Sequence, residues 1–231
     1  MKRLLWFAAC IFLIAQTAAA ADIPANAKKF LPVLVQNQKT YWPDAPIPDY
    51  MAGLVEQESC ISLKHSKCWS PYAQLKTSRE WGRGLGQVTT AYRADGSVRF
   101  DTQEELRKKF PELRGWTTDR WDDPDMQLRA IVLQNKMLFD KITWNKSPRE
   151  RVAFTLSSYN GGLGGVLQDR RYCSNISGCD PDRWFNNVEK NSLKSKKPWP
   201  GYGGKSAYEI NREYVRLILD VRRQKYSGYF E

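Results

Sequence analysis

The stretch Ile47-Pro48-Asp49-Tyr50-Met51-Ala52-Gly53-Leu54-Val55-Glu56-Gln57-Glu58-Ser59 decides how this chain is read. Ile47, Tyr50, Met51, Leu54 and Val55 recur at the i, i+3, i+4 spacing of a helix with one apolar face. Pro48-Asp49 suits its first turn. The next position on the apolar stripe is 58, and it is a glutamate. Glu56 lies about 160° away around a helix that turns ~100° per residue, so Glu56 is expected in solvent and Glu58 against the interior or a cleft. A carboxyl held on apolar surface loses the hydration of its charged form. Its pKa rises, and it can hold a proton near neutral pH, which is what a general acid requires. The plainer alternative is that the stripe simply ends at Ser59-Cys60 and the side chain reaches water.

Outward from this helix, the apolar periodicity predicts further helices over 27–36, 103–109, 124–141, 148–160 and 206–224. Asp123-Pro124 opens one of them, and Ser206 with Glu209 forms a capping-box pattern at the start of the last. Residues 61–88 read as loop, with Gly82, Gly84 and Gly86 on alternate positions; 89–125 reads as polar and irregular, and 161–204 is rich in Gly, Asn and Lys. Alternating strand patterns are scarce. The expected fold is therefore mainly α, a single domain with long loops.

The amino terminus reads as an export signal over 1–21. Lys2 and Arg3 precede an apolar run over 4–15 and a small-residue zone, Thr17-Ala18-Ala19-Ala20-Ala21. Cys10 after Ala8-Ala9 raises lipid attachment, although the apolar run before it is very short. Residues 22–44 read as a lead-in to the main domain, 45–231. The protein is expected to be exported, periplasmic or secreted, and monomeric. Its formal charge falls from +11 to +9 once Lys2 and Arg3 leave, which suits an anionic partner such as cell-wall polymer. The basic residues are scattered, so no specific nucleic-acid site is read.

Cys60, Cys68, Cys173 and Cys179 remain after signal removal, an even number in an exported chain. Three pairings are possible; local closure, Cys60 with Cys68 and Cys173 with Cys179, is preferred because each pair brackets a short loop-like stretch. No CxxC occurs and His65 is the single histidine, so neither a metal site nor another cofactor is expected.

Four segments stand out together: Glu58-Ser59, Gly84-Leu85-Gly86-Gln87, Ser158-Tyr159-Asn160-Gly161-Gly162 and Tyr214-Val215. Their order and spacing resemble the catalytic domain of the lytic transglycosylases, family 23 of the glycoside hydrolases, within the lysozyme-like superfamily. The usual segments there are Glu-Ser, Gly-Leu-Met-Gln, Ala-Tyr-Asn-Ala-Gly and Tyr-Val. The resemblance spans about residues 45–222. It implies a lysozyme-like fold and cleavage of the β-1,4 bond between N-acetylmuramic acid and N-acetylglucosamine in peptidoglycan. Glu58 would then be the catalytic residue, with Ser59, Gln87, Tyr159, Asn160 and Tyr214 as substrate contacts. A cell-envelope or secretion apparatus would be a further possible partner. Gly86 departs from the family's Met, which is expected to loosen the loop or open the cleft, and Glu209 is one residue out of register for a role beside Tyr214. Two alternatives stay open: a goose-type lysozyme that hydrolyses the bond, with Asp95 or Asp101 as a second carboxylate, and a wall-binding protein without turnover.

Overall fold

A computed structural model describes residues 23–199 and 203–231; the expected export signal, with Cys10, lies outside the described residues. The chain runs α1 (Ala25–Tyr41), α2 (Tyr50–Ser59), β1 (Gln74–Lys76), β2 (Glu80–Arg83), β3 (Val88–Tyr92), β4 (Val98–Asp101), α3 (Thr102–Lys109), α4 (Pro124–Lys141), α5 (Pro148–Gly161), α6 (Leu163–Ser174) and α7 (Ala207–Arg216). After α7 the helix loosens into a π-helical stretch, Leu217–Arg222, and then tightens to 3-10 geometry over Arg223–Tyr229. The fold is mainly α, and both cysteine pairs are closed as preferred, Cys60 to Cys68 and Cys173 to Cys179. By loop-closure entropy, rings this short each add about 2.5 kcal/mol.

Local chemistry explains the helix ends. Asp123 Oδ1 accepts from the backbone N–H groups of Asp125 and Met126, each at 3.1 Å, with Pro124 at the first helical position. Ser206 and Glu209 form the expected reciprocal capping box on α7. Gly162 breaks α5 from α6 at φ +79°, a conformation that favours glycine. The core is one cluster that includes Leu31 and Leu34 from α1, Met51 and Leu54 from α2, and Phe154 from α5. Phe154 meets Trp144 and Trp184 edge-on at 5.5 and 5.4 Å. The lead-in thus supplies part of the same core, since α1 packs along α4. No helix among the described residues is long and apolar enough to cross a membrane.

Three expectations are corrected. First, Glu56 is fully buried. The face of α2 assigned to solvent is covered by the segment that follows α7, which lies so close at Gly53 that an added Cβ would sit 3.0 Å from the backbone nitrogen of Arg223. Glu56 therefore meets Arg222 Nη1 at 2.8 Å, Lys225 Nζ at 3.0 Å and the Tyr226 hydroxyl at 2.5 Å. Periodicity marks one apolar face but says nothing of a second partner that covers the other with compensating charge.

Second, residues 74–101 form a four-stranded antiparallel sheet in the order β1-β2-β3-β4 rather than irregular loop. Its strands are three to five residues long, and β1 is exposed throughout, so there is little alternation to detect. A second small cluster, which includes Val88, Leu106, Leu113 and Trp116, lies between β3, α3 and α4. Third, α6 occupies part of the stretch read as Gly-rich loop. Gly164 and Gly165 weaken its local signal, while Val166, Asp169 and Cys173 give it a buried face.

Candidate active site

Glu58 is the next-to-last residue of α2 (Tyr50–Ser59), in its final turn, and the groups around it fix that end. Ser59 is buried, donates from Oγ to Val55 O at 2.6 Å and accepts from Trp69 N–H at 3.0 Å. Trp69 Nε1 donates to Tyr226 at 3.1 Å, and Tyr226 donates in turn to Glu56. The Cys60–Cys68 bridge closes the loop between Ser59 and Trp69. A hydrogen-bonded belt thus holds the last turn of α2 from below. The Ser59 hydroxyl is engaged in this belt, while the residue also lines the cleft described next.

Above the belt opens a cleft of about 1210 Å³, lined among others by Glu58, Gln87, Tyr159, Asn160 and Tyr214. The structure therefore brings together residues from α2, the β2–β3 turn, α5 and α7 that lie up to 156 positions apart in sequence. The Tyr214 hydroxyl donates to Glu58 Oε1 at 2.6 Å. Glu58 is part-exposed, yet its surroundings are poor in water. Burial raises its pKa to about 7, and the Tyr214 hydrogen bond pulls the other way without cancelling it. Burial, and then the charge of Glu58, pushes the phenols of Tyr214 and Tyr159 well above their ordinary value, so both act as neutral donors.

Tyr159 donates to Gly86 O at 2.9 Å. An added Cβ at Gly86 would come within 2.6 Å of the Tyr159 hydroxyl and 2.8 Å of Ile131 Cγ1. The bare Cα of Gly86 thus leaves room for the Tyr159 hydroxyl, whose hydrogen bond ties the turn to α5. Gln87 sits at φ +45°, and its Nε2 donates to Gly84 O at 3.0 Å and Ala73 O at 3.3 Å. Asn160 is exposed in the cleft; its Oδ1 accepts from Asn211 Nδ2 at 2.8 Å, and among the described residues its own amide nitrogen has no hydrogen-bond partner.

Two residues escaped the sequence reading. Asn211 bonds Ser157 O, Ser157 Oγ and Asn160 and so joins α5 to α7. It lies three residues before Tyr214, on the same helix face, and that spacing was a usable signal. Gln127 on α4 accepts from Leu85 N–H at 2.9 Å and donates to Pro71 O and Trp121 O, which anchors the glycine turn. Nothing in sequence separates it from a surface glutamine. Asp95 is taken up by Ser97 in the β3–β4 turn, and Asp101 caps α3 at Glu104 N–H and accepts from Thr90. Glu209 is the capping-box acid and His65 sits in an exposed turn. Among the described residues, no group of three His, Cys, Asp or Glu is placed to hold a metal ion.

No family model matches the chain. It is similar to the membrane-bound lytic murein transglycosylase F of Haemophilus influenzae (strain PittGG), 31% identical over 111 residues that make up 44% of this chain and 23% of that protein. The protein of the same name from Yersinia pestis (strain Pestoides F) is 29% identical over 114 residues, 47% of this chain and 22% of that one. That from Mannheimia succiniciproducens is 30% identical over 103 residues, 44% and 20%. The chain thus spans less than a quarter of the length of these relatives.

Proposed function

We propose that this chain is a peptidoglycan lytic transglycosylase that breaks the N-acetylmuramic acid–N-acetylglucosamine β-1,4 bond without consuming water. The observation that carries the reading is Glu58, its pKa raised to about 7, bonded to Tyr214 at the floor of a cleft large enough for several sugar units. The similarity to lytic murein transglycosylases supports it from an independent side.

A carboxyl with a pKa near the working pH holds its proton about half the time, which suits a group that must give a proton and then take one. Protonated Glu58 donates to the glycosidic oxygen as the bond to C1 breaks. The positive charge that grows at C1 is met by the sugar's own acetamido oxygen, the route of substrate-assisted glycosidases. Ionised Glu58 then removes the proton of the C6 hydroxyl, whose oxygen closes on C1 to give a 1,6-anhydro end. Tyr214 holds the carboxylate in that second step. Asn160 and Gln87 contact the sugar through their amides, and Tyr159 offers it a ring face. Hydrolysis through Asp95 or Asp101 is disfavoured because both carboxylates are engaged in turn and cap bonds. The residues before 22 act as the export signal, which delivers the enzyme to the wall.

The test is digestion of purified peptidoglycan by Glu58→Gln. A general acid contributes about 10²–10⁴-fold, so release of soluble fragments should fall at least about a hundredfold with the circular dichroism spectrum unchanged. Digestion at the wild-type rate would overturn the proposal.

A further inference from the structure

The cleft holds a cation that the chemistry at Glu58 does not use. Lys194 lines the cleft beside Gly161 and Gly165, and its side chain is only 13% exposed. Its stem runs over the α5–α6 junction because glycines leave it room. An added Cβ at Gly161 would lie 3.0 Å from Lys194 Cε, and one at Gly165 would lie 3.0 Å from Nζ. The partner beneath it is Asp169, which is buried and already satisfied. Asp169 accepts from Leu193 N–H, from Ser192 Oγ and from Arg212 Nη2, each at 2.9 Å, whereas Lys194 Nζ stands 3.5 Å away.

One carboxylate thus serves two cations, and Arg212 makes the shorter contact. A buried charge is costly unless it is paired and hydrogen-bonded, and among the described residues this ammonium sets three donors against one long contact. Burial and then the Arg212 charge lower the lysine's pKa, while Asp169 raises it. Arg212 is fixed further by the Val188 and Glu189 carbonyls and by Asn211 Oδ1. Through Asn211 the same network reaches Asn160. The surplus positive charge is therefore held rigidly, on the cleft side, next to a residue placed at the sugar.

We propose that Lys194 is a specificity residue that binds a carboxylate carried by the glycan strand, so that the cleft selects an acid-bearing wall polymer over a neutral one. This rests on the proposed function and narrows its substrate. Two sources offer the same chemistry: the free acids of the stem peptides, and the lactyl acid of a muramic unit that has lost its peptide.

Cosedimentation of the full chain with insoluble cell walls reads binding apart from turnover. Three samples are compared: native walls, walls chemically amidated at their carboxylates, and glycan strands freed of peptides by an amidase and coupled to beads so that they sediment. Lys194→Met keeps the length of the stem and removes the charge. Lys141→Met, exposed at the end of α4, controls for net charge. On native walls Lys194→Met should bind about tenfold more weakly than wild type, the lower end for a hydrogen bond between charged partners. Lys141→Met should stay within about twofold. On amidated walls wild type and Lys194→Met should bind alike. A lysine effect that persists on the peptide-free strands names the lactyl acid as the source; one that vanishes there names the peptide acids. Equal binding of the two proteins to native walls, or an equal deficit of the variant on amidated walls, would overturn the proposal. Fragment release, measured in the same tubes, separates the readings: wild type that binds by this pattern without digesting would refute the transglycosylase and leave the carboxylate site standing.

Discussion

Glu58 should make the protein less stable as pH rises, and Glu58→Gln should abolish that loss. The carboxyl has a folded-state pKa of about 7 against an ordinary value of 4.5, raised by burial. A raised pKa means the folded chain binds the proton more tightly than the unfolded chain. The stabilisation from protonation is therefore full below the ordinary value and is lost as pH climbs to the folded one. At 1.36 kcal/mol per unit, and with the unfolded group already mostly ionised near pH 5, about 2.5 kcal/mol should disappear between pH 5 and pH 8. Glutamine has the same shape, still accepts from Tyr214 and does not titrate. For a domain of this size 1 kcal/mol moves Tm by about 2–4 °C, so the gain in Tm of Glu58→Gln over wild type should be roughly 5–10 °C larger near pH 8 than near pH 5. Thermal unfolding followed by circular dichroism at both pH values measures it. The same Tm difference at both would refute the claim that this carboxyl is held in a poorly hydrated site, independently of any test of the proposed activity.

Tyr214→Phe removes the hydroxyl that favours ionised Glu58, so the carboxyl's pKa should rise by about one unit more; the alkaline fall of the pH–rate profile should move up by that amount, and an unmoved profile would contradict the 2.6 Å contact. Glu56→Gln, harmless if that residue faced water, should cost about 3–5 kcal/mol because Arg222 and Lys225 lose their buried counterion, and urea denaturation would show it. Gly86→Met should push against the Tyr159 hydroxyl and Ile131, lower stability by about 1–3 kcal/mol and weaken substrate binding; a Tm equal to wild type would show that the turn yields freely.

The sequence was most informative where a single helix face or a single cap decides the local structure. Asp123-Pro124 and the Ser206–Glu209 pair announce the starts of α4 and α7 because their hydrogen bonds are made within three residues. Glu58 could be picked out because it interrupts an apolar stripe. Glu56 was misplaced because its partners lie more than 160 residues away, on a segment whose packing against Gly53 leaves no mark in local periodicity. The sheet was missed for a related reason: β1 and β4 are largely exposed and bury no alternating face, so they are held by backbone pairing to neighbours. Within the site, Tyr214 and Tyr159 were legible as residues in motifs, whereas the belt under α2 through Ser59, Trp69 and Tyr226 depends on long-range contacts that appear only in three dimensions.

The most direct measurement of the central claim is mass spectrometry of the soluble fragments released from peptidoglycan in water enriched in heavy oxygen. If Glu58 gives its proton and then takes one from the C6 hydroxyl, the muramic ends will be 1,6-anhydro and carry no solvent oxygen. Reducing ends labelled with heavy oxygen would contradict the account and assign the second step to water.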